Sequence, residues 1–151
     1  MSFAIALHAL AAVIWVGGMF FAHQVLRPVL VERLEPPDRL PVWASVFGRF
    51  FPWVWAAVLL LPATGYWIIF AVLGGMGHAG VHIHIMNGIG SVMIALFVYL
   101  FVRPYPRLKR AVTEEDWPTG AKHLATIRRI VGTNLLLGLI TIAVAAGGRY
   151  F

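Results

Sequence analysis

Four long apolar stretches, with nearly all of the charge confined to the short segments between them and the stretch ends beside those segments, constrain this chain more than any other feature of its sequence. They cover about residues 3–28, 42–73, 80–103 and 120–147. A helix needs about 20 apolar residues to cross a hydrocarbon core of about 30 Å, and each stretch meets that length. Hydrophobic residues are 60% of the 151 and charged residues 12%, well below the roughly 25% charge of a soluble domain. The expected architecture is all-α: a single transmembrane domain, residues 1–151, folded as an integral membrane four-helix bundle. The absence of cysteine excludes thiol catalysis, iron–sulfur clusters and thioether-linked haem.

The first span has no basic leader and no small-residue cleavage site, so it reads as a retained helix rather than a signal peptide. VERLEPPDRLP, residues 31–41, reads as the first loop because it carries Pro and both signs of charge. The second span enters through the amphipathic stretch bearing Arg49, with bends expected at Pro52 and Pro62. Trp43, Trp53, Trp55 and Trp67 sit toward its ends, as interfacial aromatics do. GGMGHAG, residues 74–80, is an uncharged turn, and YPRLKRAVTEEDWPTGAK, residues 105–122, reads as a charged third loop with Thr119 as an N-cap.

Charge sets the expected orientation. Of the 12 Lys and Arg residues, all but Arg149 belong to the first and third loops or the helix ends beside them. By the positive-inside rule both termini and the turn at 74–80 face outward, in a bacterial inner membrane protein. The net charge of +6 is then a topology signal, with no nucleic-acid partner implied.

A histidine inside a membrane span is a functional-site candidate by default, and His8 is one. Ala11, Ala12, Trp15, Gly18, Met19 and Ala22 share its helical face and form a mostly small strip suited to close packing. The chain also reads as two parallel-repeat hairpins. The first and third spans both end in Arg-Pro, and the second and fourth are entered through Arg49 or Arg129. Nineteen residues separate His8 from Arg27 and likewise His84 from Arg103. Gly80, His84, Gly88, Ser91 and Ala95 repeat the small-residue face, so His8 and His84 are expected as facing partners across the bundle. Two such imidazoles are the geometry that ligates haem b. Trp15, Gly18, Gly88, Ser91 and Asn134 would contact the cofactor, and His82 would hold a propionate or replace His84.

A different metal is also open. His78, His82 and Met86 follow one another at four-residue spacing, with His84 beside them, and imidazole with thioether is a soft ligand set suited to copper(I). His23 and His123 read as interfacial, and Arg149 as a solvated tail charge or a propionate partner. Every carboxylate lies in a loop on the inner side, and no nucleophile has an evident base, so no hydrolase or phosphate-loop constellation is present.

The runs LHALAAVIWVGGMFF, LEPPDRL, VFGRFFPWVW, HIHIM and IRRIVGTNLLLGL resemble the short members of the CopD (copper resistance D-like) membrane family. That resemblance implies a four-helix bacterial inner-membrane protein linked to copper. The first span, with His8, Trp15 and Gly18, also resembles the HemJ family, haem-binding membrane proteins linked to protoporphyrinogen oxidation. The chain departs from that pattern at Met86, where the family has a lysine. The expected function is haem b-dependent electron transfer, with a quinone or periplasmic redox partner. A copper-binding or copper-transporting protein is the alternative, a porphyrin-oxidising enzyme a second, and a purely structural bundle a third. Lipid surrounds the protein, and a homo-oligomer is compatible with it.

Overall fold

The computed structural model describes residues 2–148, so Arg149 lies outside the described residues. Six α-helices account for the four spans: α1 (Ser2–Phe20), α2 (Arg27–Arg33), α3 (Pro36–Ala71), α4 (Val81–Val102), α5 (Pro104–Thr113) and α6 (Trp117–Gly147). No strand occurs among the described residues. Four continuous helical segments, Phe3–Arg33, Pro36–Ala71, Val81–Thr113 and Trp117–Gly147, are long and apolar enough to cross a membrane. Helical backbone satisfies its own N–H and C=O groups, which lipid cannot do.

Proline places the breaks. Pro28 has no N–H to give to Gln24 and its ring crowds that carbonyl, and the preceding turn, Phe21–Leu26, is a wider π-helix. Arg27 N–H accordingly reaches back to the carbonyl of Ala22. Elsewhere proline opens helices: Pro36 starts α3, Pro104 starts α5, and Pro118 sits in the first turn of α6. This corrects three expectations. The first loop shrinks to residues 34–35, α3 begins six residues before Val42, and the third loop shrinks to residues 114–116 between α5 and α6. Proline at a first helical turn loses no hydrogen bond and arrives with its φ already set, so it promotes the helix there. Asp116, not Thr119, is the N-cap of α6, and its carboxylate accepts from Thr119 N–H at 3.3 Å.

At the other end Gly74 and Gly75, with φ of +78° and +114°, let the chain leave α3 and reverse into α4. The helices form an up-down-up-down ring in which α1 lies on α3, α4 on α6, and α1 on α6. Gly138 makes the contact between hairpins, where a Cβ would lie 2.7 Å from Val16 Cγ2 and 3.2 Å from the Met93 methyl. Gly18 likewise admits the ring of Phe50. The fourth side, between α3 and the α4–α5 arm, is filled by edge-on aromatic contacts of Phe51 and Trp55 with Phe97, Phe101 and Tyr105.

Packing is uneven along the bundle. Leu40, Phe47, Val54, Leu100, Leu108 and Ile127 are buried in the half that carries most of the arginines. Toward the turn between α3 and α4, the buried positions among the described residues are Ala11, Thr64, Ile69 and Gly138.

Adding side-chain volume at Gly138 should separate the hairpins. Gly138→Val is expected to cost about 1–3 kcal/mol in detergent-induced unfolding, whereas Gly90→Val, which meets nothing within 4 Å, should be near neutral. Equal stability of the two variants would contradict this packing.

Candidate functional site

The histidines of the loose end divide by helical face. His8 Nδ1 lies 2.8 Å from Thr64 Oγ1, and that hydroxyl donates to the carbonyl of Leu60 at 2.6 Å. When the hydroxyl gives its one proton to Leu60, the imidazole donates Nδ1–H to the hydroxyl oxygen, and this tautomer leaves the Nε2 lone pair of His8 outside the hydrogen-bonded chain. Gly65 makes room for the ring, because a Cβ there would lie 3.3 Å from His8 Cε1. The first span therefore turns its histidine toward α3.

On α4 the inward stripe is His82, Met86, Ile89, Met93, Phe97 and Leu100, spaced three or four residues apart. Met93, Phe97 and Leu100 are buried, and His82 packs against the end of α6, its Cβ 2.5 Å from where a Cβ on Gly148 would stand. His84 lies about 200° around the helix from Met86 and is exposed, as are Gly88 and Ser91. The expectation that His84, Gly88 and Ser91 face His8 is thus corrected. The small residues at this interface come from α6 instead: Gly138 receives the Met93 methyl, so α4 supplies the large side chains. His78 is exposed in the turn Met76–His78, while Met86 is half-buried. His82 and Met86 remain on one face, and His78 does not join them in a cluster. Among the described residues no group of three or more His, Cys, Asp or Glu is placed to hold a metal ion.

The other named residues belong to the bundle's interior. Trp15, 3% exposed, stacks edge-on against Phe97, with centroids 6.3 Å apart. Asn134, also 3% exposed, donates its amide to the carbonyl of Met93 at 3.0 Å, and its Oδ1 is buried with no partner. Sequence reasoning missed Thr64 as the partner of His8. The signal was faint: a threonine mid-span that bonds to the carbonyl four residues back is common, and only the neighbouring Gly65 marks the close approach.

His23 stands at the opposite end, in the π-turn, with Nε2 3.0 Å from where a Cβ on Gly132 would be. His123 is half-buried near the start of α6.

The His8–Thr64 bond crosses from α1 to α3, so removing both groups should be less costly than the sum of removing each. A double-mutant cycle with His8→Phe and Thr64→Val is expected to give a coupling of about 0.6–1.7 kcal/mol in reversible unfolding. Strict additivity would show that the bond does not form.

A protein-family model described as Copper resistance protein D (CopD) matches residues 44–147 of the chain. Comparison with curated proteins and with solved structures gives no match.

Proposed function

Since the chain belongs to the copper resistance protein D (CopD) family, we propose that it binds copper(I) as cargo at the loosely packed end of its bundle, through His8, His82 and Met86. The family match supports copper as the metal. The observation that carries the choice of residues is the His8–Thr64–Leu60 chain, because a hydroxyl that holds one ring nitrogen leaves the other oriented as a ligand.

The donor chemistry fits. The chain has no thiolate, and no cluster of His and carboxylates exists among the described residues, so a four-ligand zinc-type site is unsupported. What the inward faces at this end offer is imidazole and thioether, the soft donors that favour copper(I). Below them Met93 and Met19 are buried in the core, 4% and 3% exposed, and the unpartnered Oδ1 of Asn134 lies beside Met93. Thioethers therefore continue inward from His82 and Met86, which is the lining a soft cation moving along the bundle would use.

This multi-pass membrane protein is further read as lying in a bacterial inner membrane with the His-bearing end outward. The basic residues at the opposite end support that orientation. Sparse burial at the His-bearing end gives a metal ion access to His82 and Met86.

Titration of the full chain in lipid nanodiscs with copper(I), against a chromogenic copper(I) chelator under reductant, tests the reading. His8→Ala and His82→Ala with Met86→Leu are expected to weaken binding at least about tenfold, and Thr64→Val, acting through His8, by about tenfold. His84→Ala should leave it unchanged. Unaltered affinity in His8→Ala and in the His82/Met86 variant would overturn the assignment. A Soret band lost in both His8→Ala and His84→Ala would overturn it in favour of bis-histidine haem b.

A further inference from the structure

We infer that the arginine-bearing end of the bundle holds the headgroup of an anionic phospholipid, in a cavity where Arg27, Arg39 and Arg128 converge with His23. The cavity, about 250 Å³ in volume, lies between the π-turn and α2, the first part of α3, and α6. All its charged lining residues are cationic, and its remaining wall is apolar, with Trp43, Phe47 and Leu124 among its members. The positive-inside rule accounts for arginines at this end of the chain, but not for three of them lining one cavity.

No acid neutralises them. Among the described residues the only ion pair joins Arg110 to Glu114, on α5. Arg27 and Arg39 are half-buried while Arg128 is exposed, and like charges gathered around one partly shielded cavity repel unless an anion joins them. The local structure holds the group open. The π-turn places one extra residue before Arg27, which rotates the guanidinium stem by about 100° relative to a continuous α-helix. Gly132 receives the His23 ring, which seats the imidazole against α6. Arg39 gives one N–H to the carbonyl of Leu34 at 3.2 Å, which fixes its direction while its other donors stay available.

Paired guanidinium groups match the geometry of a phosphate's oxygens, and bind it by charge-assisted hydrogen bonds. The volume is below the roughly 300 Å³ at which drug-sized ligand sites begin, so it suits a headgroup and not a whole lipid. The apolar wall, which includes Trp43 stacked on Phe47, then runs beside the first part of the acyl chains. A free phosphate would satisfy the arginines and gain nothing from that wall.

Native mass spectrometry of the full chain, delipidated in detergent and offered phosphatidylglycerol, phosphatidylcholine or inorganic phosphate, provides the test. Phosphatidylglycerol is expected to be retained about tenfold better than phosphatidylcholine, the factor that one charge-assisted hydrogen bond supplies. Arg39→Gln with Arg128→Gln should abolish that preference, and so should Ala125→Phe, which fills the cavity without altering charge. Arg107→Gln, a basic residue at the same end outside the cavity, should keep it, and unchanged thermal melts will show that each variant is folded. A preference surviving in both cavity variants, or lost equally in Arg107→Gln, overturns the site. Inorganic phosphate displacing phosphatidylglycerol at equal concentration overturns the lipid as its occupant.

Discussion

The two hairpins of this protein are joined where α6 lies against α1, and that contact depends on glycines that have no side chain. In lipid there is no hydrophobic drive to bring helices together, so association rests on close van der Waals packing and on hydrogen bonds made across the interface. Gly138 receives Val16 and the Met93 methyl, and Gly132 receives the His23 ring. One turn before Gly138, Asn134 bonds to the carbonyl of Met93 on α4. The same short stretch of α6 therefore ties α1 and α4 together, and the positions of the faces bearing His8 and His82 follow from it.

From this tie the bundle differs toward its two ends. Toward the arginines, the aromatic rings of α3, α4 and α5 interlock around Phe51, and Leu40 and Leu108 are fully buried. Toward the turn at Gly74 and Gly75 the helices bury little, and the polar contact there between α1 and α3 is the bond of His8 to Thr64. A tight end resists deformation, while a sparsely packed one opens at low cost. The imidazoles and Met86 thus belong to the sparsely packed end and most of the cations to the tightly packed one.

Much of this was legible in the sequence. The four spans and their helical nature followed from apolar length alone, and the inward placement of His8, Trp15 and Met19 followed from three- and four-residue spacing. The register of the third span did not. Equal spacing of His8 and His84 from an Arg-Pro pair suggested equivalent faces, yet the first interval contains a π-turn and the second is regular α-helix. A count of residues preserves distance along the chain, whereas a face depends on rotation, and one extra residue in a turn moves it by about 100°. The small residues of α4 misled for a related reason, since glycine and serine mark an interface only where another helix comes close. Proline was read as punctuation where it instead starts helices.

α4 turns His82, Met86 and Met93 inward and leaves His84 and Gly88 on its outer surface. Nitroxide labels attached to single cysteines at positions 84, 86, 88 and 93, introduced one at a time into this cysteine-free chain, would report that register in a bilayer through their collision with dissolved oxygen. High oxygen accessibility at 84 and 88 with low accessibility at 86 and 93 is the expected pattern. The opposite pattern, with 84 and 88 protected, would contradict the account.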